Sequence, residues 1–257
     1  MSKTPIRIAT LNLLHGFPGF EQLEQRTQMV VDWIALAKPD FIMIQEAHQS
    51  PSMANRGQDI ATRTGYSWLW EKASGVDFVF EEGPGVLSKT PVLATAALAL
   101  PHPGMVGFEV RKVVGGEVET PAGRIGVWST HLTTQADPVI KGDQAMAAHD
   151  LVMAPRPVVA RVLGGDMNAV PDSLPMKFLR GEATHAGNTG QLDDAWLAVN
   201  ASQPGFTSAP PSADRRIDYL YVSDEVEVIE CKIVLDQPSG ALYASDHLGV
   251  MCDVRIK

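Results

Sequence analysis

Residues 157–173, PVVARVLGGDMNAVPDS, indicate how the chain is organised. The first seven residues are mostly apolar, as in a strand that is buried for much of its length, and Gly164 and Gly165 follow the run. Asp166 and Asn168 come next, which predicts two polar side chains at the carboxyl end of a strand. Taken alone, the stretch equally fits a strand followed by an Asx-turn, in which both side chains bond only to nearby amides.

Other apolar runs also border a polar residue with catalytic or metal-binding chemistry. These residues are Asn12, Glu46, His131, Asp218, Asp246 and His247. Each has a simpler explanation by itself, such as a turn residue, a loop charge or a half-buried histidine. Together they are the carboxylates, amides and imidazoles that a hard divalent cation and a phosphate ester require. The set therefore predicts one site at the ends of several strands.

Apolar periodicity predicts many strands and few helices. Strands are expected over 6–11, 41–45, 84–88, 92–100, 106–114, 124–129, 157–163, 217–222, 226–235 and 247–256. Helices are expected within 20–40 and over 135–152, 173–180 and 190–199, and a turn is expected at Gly115 and Gly116. We expect an α/β (α+β) four-layer sandwich, with two mostly antiparallel or mixed β-sheets packed face to face and flanked by helices.

The composition fits one globular domain over 1–257. Hydrophobic residues make up 45% of the 257 residues and charged residues 20%, with no repeat of solenoid period. The amino terminus lacks the pattern of a secretory signal, and no run approaches the roughly 18 to 20 apolar residues that span a bilayer. These features predict a soluble, cytoplasmic protein. Cys231 and Cys252 are expected to be reduced core thiols, with a cross-strand disulfide as the alternative.

The net charge weighs against broad binding of polyanions. Lys and Arg total 21 against 30 Asp and Glu, which gives a formal charge of −9. Proteins that hold nucleic acid mainly through phosphates carry a basic face, and the densest basic spots here are only 111–112 and 215–216. A nucleic-acid substrate is therefore possible but not favoured.

Seven sequence motifs, in their order along the chain, resemble those of the endonuclease/exonuclease/phosphatase superfamily. They are ATLNLLHG, IQEA, GVLSKTPV, STHL, GGDMNAVPDS, RIDYLYVS and SDHLGV. This group includes deoxyribonucleases, apurinic endonucleases, sphingomyelinases and inositol phosphatases, and the resemblance runs nearly end to end. It implies the four-layer fold and a metal-dependent phosphoesterase activity.

The resemblance also implies a role for each strand-end residue. Glu46 would be the principal ligand of Mg²⁺ or Mn²⁺, with Asn12 and Asp246 near it. Asp166 would position and deprotonate the attacking water. Asn168 would donate to a phosphate oxygen, His247 would contact the same phosphate with its tautomer held by Asp218, and His131 would face the phosphate from another side.

Three other functions are less consistent with the residues. Ser245, Asp246 and His247 are adjacent, so they cannot align as a hydrolase triad. A glycosidase would use two carboxylates but would not need the amides and histidines around them. A catalytically inactive binding module on the same fold is the alternative of another class, but every catalytic position of the motifs is filled.

The substrate is less well defined than the chemistry. A small or lipid-derived phosphodiester is favoured by charge, and a nuclease or a phosphomonoesterase is the alternative.

Several further residues are candidates for the surroundings of the site. Glu81 or Glu82 could pair with His131, although an exposed loop carboxylate is the preferred interpretation. Four residues are predicted to support the site structurally, and two histidines are left outside it. The supporting residues are Glu109, Arg111, Lys141 and Gln144, and the histidines are His15 and His48.

Overall fold

The computed structural model describes residues 5–19, 22–77, 79–102 and 110–257. Five helices lie in these ranges: α1 (Leu23–Ala37), α2 (Arg56–Thr64), α3 (Pro138–Met153), α4 (Leu174–Leu179) and α5 (Ala195–Asn200). The strands of the first half are β1 (Ile6–Asn12), β2 (Phe41–Gln49), β3 (Ser67–Trp70), β4 (Ser74–Val76), β5 (Phe80–Ser88), β6 (Val92–Ala99), β7 (Lys112–Thr120) and β8 (Gly123–His131). Those of the second half are β9 (Ala160–Asp166), β10 (Thr184–His185), β11 (Asn188–Thr189), β12 (Asp193–Asp194), β13 (Asp218–Val222), β14 (Val226–Val234) and β15 (Gly249–Ile256).

The strands form two large mixed sheets and one small hairpin. The first sheet has the order β14-β15-β1-β2-β5-β3, with β4 also paired to β5, and its only parallel pair in the described chain is β1 with β2. The second sheet has the order β12-β13-β9-β8-β7-β6, and β8 with β9 is its parallel pair. Strands β10 and β11 form the hairpin.

Three apolar cores separate four layers. Ile8, Phe41 and Met43 of the first sheet meet Val127 and Val162 of the second in the central core. A second cluster packs α1 and α2 on the outer face of the first sheet, and a third packs α3 and α4 on the outer face of the second. The predicted fold, two mixed sheets flanked by helices, is confirmed.

Local signals explain where the longer helices begin and end. The Asp137 side chain accepts from the amides of Val139 and Ile140 at the start of α3, and Pro138 occupies the first turn. Helix α1 ends at Ala37, and its C-cap Lys38 has a left-handed conformation directly before Pro39. Among the described residues, no helix is both long enough and apolar enough to cross a membrane.

The predicted turn at Gly115 and Gly116 is wrong. Both residues lie inside β7, and the chain turns instead at 121–122. A β-carbon on Gly115 would lie 2.1 Å from the Val127 carbonyl oxygen, and one on Gly116 would lie 2.5 Å from that of Leu93. Neighbouring strands approach too closely there for a side chain, so glycine serves packing and not a turn.

Other differences concern the elements that were not predicted and the start of β7. Helix α2 and strands β3 and β4 were missed, as were the short strands β10 to β12. Of the strand expected over 106–114, residues 106–109 lie outside the described ranges, and β7 begins at Lys112.

The expectation of reduced thiols is not met. Cys231 and Cys252 are directly opposite each other on β14 and β15, with Cα atoms 4.1 Å apart, and form a disulfide. Facing residues of an antiparallel pair come this close, so the pairing register brings the two sulfurs together.

Candidate active site

The two sheets bring their polar strand ends to one edge of the sandwich. Asn12 ends β1, and Glu46 lies near the end of its parallel neighbour β2. In the second sheet, Asp166 ends β9 and pairs in register with His131 of β8 on one side and Asp218 of β13 on the other. Parallel pairs carry their carboxyl ends to the same edge, and this brings residues far apart in sequence together.

An irregularity in β2 directs Glu46 into the site. The register with β5 shifts between Ile44 and Ala47, and Glu46 has a φ of 54°. Its carboxylate accepts from Asn12 Nδ2 at 3.0 Å and from the His15 amide at 2.9 Å. Burial alone would raise the pKa of Glu46, but the neighbouring imidazole of His15 and these hydrogen bonds lower it overall. Glu46 is therefore held as an anion.

Asp166 lies at the centre of the cluster. Its Oδ2 accepts from Asn12 Nδ2 at 3.1 Å, and its Oδ1 accepts from the Asn168 amide at 2.8 Å. The residue is 1% exposed. Burial raises the pKa of Asp166 to about 7, the charge of Asp218 adds to the rise, and His247 opposes it. This carboxylate is consequently more basic than an exposed aspartate.

Asn168 is held by the backbone around it. It has a φ of 45°, in the left-handed region that Asn tolerates. Its Nδ2 donates to the Leu132 carbonyl at 3.0 Å, and its own carbonyl accepts from Lys141 Nζ. These contacts keep the amide beside Asp166.

His247 and Asp218 form a buried ion pair. His247 Nδ1 lies 2.9 Å from Asp218 Oδ2, and Nε2 lies 3.8 Å from Asp166 Oδ2. Burial lowers the pKa of His247, but Asp218 outweighs it and raises that pKa to about 11. The imidazole is therefore a cation at neutral pH. The Thr207 hydroxyl accepts from the Asp218 amide at 3.2 Å and fixes the chain there.

His131 is neutral and lies between two nitrogen donors. Burial lowers its pKa well below the ordinary value, and the charge of Arg111 adds to this. Arg111 Nη1 lies 2.8 Å from His131 Nδ1, and a guanidinium can only donate. On the other side of the ring, Nε2 lies 3.0 Å from Asn168 Nδ2 and 3.5 Å from Asp166 Oδ2.

The residues expected to support the site have mixed outcomes. Glu82 is 5% exposed and lies in β5, 4.0 Å from Arg111, so the interpretation as an exposed loop carboxylate is wrong for it. The Gln144 side chain accepts from the Thr133 amide at 2.8 Å, just beyond β8. Glu81 is half-buried in β5 and pairs with Lys72, so that interpretation is wrong for it as well, and Glu109 lies outside the described residues.

Asp246 lies at the solvent side of the cluster, next to His247 in the chain. The Ser245 hydroxyl donates to its Oδ1 at 3.3 Å. Loss of hydration raises the pKa of Asp246, and the negative charge of Glu46 adds to the rise. The two carboxylates therefore repel each other.

The cluster has the chemistry of a cation site. Single ligand atoms of Asp166, Asp218 and His247 all lie within 4.8 Å of one another, so this acidic group could hold a divalent metal in place of the His247 proton. Asn12 Nδ2 donates to both Glu46 and Asp166, which brings the oxygens of the two carboxylates close together. Carboxylate and amide oxygens suit hard ions, whereas a zinc site would need Cys or more His.

The family model for the Endonuclease/Exonuclease/phosphatase family matches residues 9–247. The chain belongs to this family. Its members are hydrolases that act on phosphoesters. None of the curated proteins matches the chain in sequence.

Solved structures of the same family share the fold. A family protein from Beutenbergia cavernae is 23% identical, with a TM-score of 0.79 over 99% of this chain and 72% of that one. The human Nocturnin catalytic domain, with a bound sulfate anion, is 19% identical, with a TM-score of 0.76 over 99% and 94%. A humanized D. rerio TDP2 is 17% identical, with a TM-score of 0.74 over 98% and 99%.

All eight predicted strand-end residues meet at the cluster. Two further residues, which the sequence analysis did not place there, contact the cluster or hold the loop beside it. His15 was left out, yet its amide donates to Glu46 and its ring lies 3.7 Å from the same carboxylate. Its position three residues after Asn12 was the available signal. Arg56 is 3% exposed and donates from Nη1 to the carbonyls of Leu13 and Leu14, which holds the loop that carries His15.

Nothing local in the sequence marks Arg56, because its contacts lie more than 40 residues away in the chain. His48 was also left out of the predicted site. Its ring is fully buried and lies 3.1 Å from the Met53 sulfur.

Proposed function

We propose that the protein is a divalent-metal-dependent phosphodiesterase that hydrolyses a small or lipid-derived phosphodiester. The observation that carries this proposal is the position of Asp166. Its carboxylate lies within 4 Å of an amide N–H, a neutral imidazole and an imidazolium, which belong to Asn12, His131 and His247. In-line hydrolysis of a phosphate ester needs a base for water and donors for the phosphoryl oxygens at one point.

Glu46, with Asn12 and Asp246, would hold Mg²⁺ or Mn²⁺. The anionic state of Glu46 and the repulsion between Glu46 and Asp246 are consistent with a cation between them. When bound, the ion supplies positive charge to a phosphoryl oxygen and to the leaving oxygen.

Asp166 would orient the attacking water and accept its proton. A carboxylate with a pKa of about 7 is a better base than an exposed aspartate at neutral pH. The Asn168 amide fixes one oxygen of Asp166, which leaves the other directed at the centre of the cluster.

Two histidines and one amide would stabilise the phosphoryl oxygens. His247, held as an imidazolium by Asp218, carries a full positive charge. His131, a neutral ring held by Arg111 at Nδ1, would face the phosphoryl oxygens from another side. Asn168 would add a donor from its side-chain amide. These groups are fixed before the substrate binds, so little reorganisation is needed in the transition state.

Charge supports a small diester over nucleic acid. The formal net charge of −9 opposes a polyanion, whereas one phosphodiester needs only the donors of the cluster. A nuclease remains the alternative outcome of the test, since one D. rerio TDP2 structure holds a single-strand DNA product.

A metal-dependent activity panel tests the proposal. The substrates are bis(p-nitrophenyl) phosphate, p-nitrophenyl phosphate, sphingomyelin and plasmid DNA, each with Mg²⁺, with Mn²⁺ and with excess chelator. We expect the diester to be cleaved faster than the monoester, and the chelator to abolish the reaction. Dominant cleavage of the monoester or of plasmid DNA would reassign the activity within the family.

A further inference from the structure

A cavity opens beside the candidate active site, at the same edge of the first sheet. Its volume is about 720 Å³, in the size range of small-molecule sites. The segment after β2 and the start of β5 form its walls. The lining mixes amides with apolar groups and includes Gln49, Met53, Asn55, Gln58, Val79 and Phe80.

Phe80 joins this cavity to the catalytic cluster. The ring of His15 packs edge-on against Phe80 with centroids 5.0 Å apart, and Phe17 stacks on it at 4.9 Å. The amide of His15 donates to Glu46. The wall of the cavity and the proposed metal ligand are therefore connected through one histidine.

The ring of His15 presents an N–H at the junction. Its Nδ1 accepts from the Phe17 amide at 3.0 Å, so the proton must lie on Nε2. Nε2 is 3.7 Å from Glu46 Oε2, beyond hydrogen-bond distance, and the side chain is 34% exposed. A substrate oxygen between the cavity and Glu46 can accept this hydrogen bond.

The lining favours an uncharged group. No Lys, Arg or His is among the described residues of the lining, so a second anionic group would find no cation there. Glu81, the one carboxylate of the wall within the described chain, already accepts from Gln49 at 2.7 Å and from Lys72 at 3.0 Å. Aromatic and aliphatic walls with amide edges suit a ring that is neutral overall.

We propose that this cavity binds an uncharged, ring-sized alcohol group of the phosphodiester, and that His15 donates from Nε2 to an oxygen of the same ester. This inference rests on the proposed function and names the substrate class. It makes His15, which lies in the first motif but was left outside the predicted site, a substrate-binding residue.

The experiment fills the cavity without touching the catalytic cluster. Ala54 is exposed on the cavity wall, and Ala54→Trp places an indole in the space. The kcat/KM values for bis(p-nitrophenyl) phosphate and methyl p-nitrophenyl phosphate are measured for each variant. Both substrates release p-nitrophenol. The ratio of kcat/KM for the aryl diester to kcat/KM for the methyl diester is compared between variants, which cancels the difference in intrinsic reactivity of the two substrates.

We expect Ala54→Trp to lower the aryl-to-methyl ratio by about tenfold or more, the size expected when a ring loses its pocket. Val79→Trp, on the same wall, should lower it similarly, and Ala241→Trp, at an exposed alanine outside the cavity, should leave it unchanged. A ratio that stays the same in both cavity variants, each folded by circular dichroism, would overturn the inference.

A binding measurement separates this inference from the proposed function. Calorimetry compares diphenyl phosphate with dimethyl phosphate on the wild-type protein and on Ala54→Trp. We expect the wild type to prefer diphenyl phosphate by about tenfold and the variant to lose that preference. Absence of hydrolysis with this preference intact would reject the activity but retain the cavity, and equal affinities in the wild type would reject the cavity.

Discussion

Glu46 and Asp166 share one hydrogen-bonding amide, that of Asn12, but their surroundings set opposite pKa shifts. The pKa of Glu46 is lowered because a histidine and two hydrogen bonds outweigh the effect of burial. The pKa of Asp166 is raised because burial dominates. Two carboxylates whose environments move their pKa values apart are suited to different roles. This difference supports a ligand role for Glu46 and a base role for Asp166.

The first prediction concerns Glu46. Glu46→Gln should weaken binding of Mn²⁺ or Mg²⁺ by about tenfold or more, because the amide lacks the charge that attracts the ion. Isothermal calorimetry measures the affinity, with Glu119→Gln, an exposed glutamate on β7, as the matched control. Equal metal affinity in wild type and Glu46→Gln would remove Glu46 from the ligand set.

The second prediction concerns the acid–base residues. Asp166→Asn and His247→Ala should each reduce turnover by at least roughly 10²-fold while the fold is retained, because each removes a positioned base or charge. Asp218→Asn should have a smaller effect, since Asp218 contacts His247 and acts through it.

A double-mutant cycle tests that order. Asp218→Asn should cost little further activity in the His247→Ala background, because the imidazole it orients is already gone. Additive losses would show that Asp218 acts independently of His247.

At the scale of elements, one ion pair joins three of them. Arg7 of β1 is opposite Asp253 of β15, and the guanidinium donates to both carboxylate oxygens at 2.7 and 2.8 Å. Nη1 of Arg7 also donates to the Ala37 carbonyl at the end of α1, at 2.6 Å. The pair therefore ties the helix to the two neighbouring strands.

The third prediction is a pH dependence of this pair. The hydrogen bond from Arg7 lowers the pKa of Asp253. A lowered folded-state pKa stabilises the fold above the unfolded pKa of about 3.9, and this contribution is lost as pH falls through the folded-state value. Asp253→Asn should therefore reduce the free energy of unfolding by about 1 kcal/mol at pH 7, and the difference should shrink below about pH 4.

Urea denaturation across pH measures this difference, with the exposed Asp193→Asn as control. A difference between wild type and Asp253→Asn that did not depend on pH would mean that the carboxylate charge is not what stabilises the strands.

At the scale of the whole molecule, charge bears on the substrate and the shared fold does not decide it. One D. rerio TDP2 structure with the same fold holds a single-strand DNA product, whereas the formal charge of this chain is −9. The cytoplasmic location and the single domain over 1–257 stay predictions.

The fourth prediction follows from that charge. Plasmid DNA should be cleaved less efficiently per phosphate than bis(p-nitrophenyl) phosphate, and its apparent affinity should fall only weakly with salt. A duplex binder releases counterions from many phosphates and shows a steep salt slope. Cleavage rates and binding from about 50 to 200 mM salt provide the measurement, and a slope indicating several phosphate contacts would identify a nuclease.

The sequence by itself determined the layers and which eight residues gather at the candidate site. Alternating apolar runs and the polar residues that border them are local patterns, so Asp166 after its strand and Glu46 near the end of another were predictable. Their convergence followed because parallel neighbouring strands end at one edge.

Only the tertiary structure decided the features that depend on distant neighbours. Gly115 lies in a strand because β7 pairs with β8 there, and it is a glycine because Val127 and Trp128 leave no space for a side chain. The cysteines pair because two strands face each other in one register. Arg56 of α2 donates to the loop that carries His15, and His15 itself contacts Glu46 and Phe80. Such contacts join residues whose separation in the chain carries no periodic signal, so no local pattern contains them.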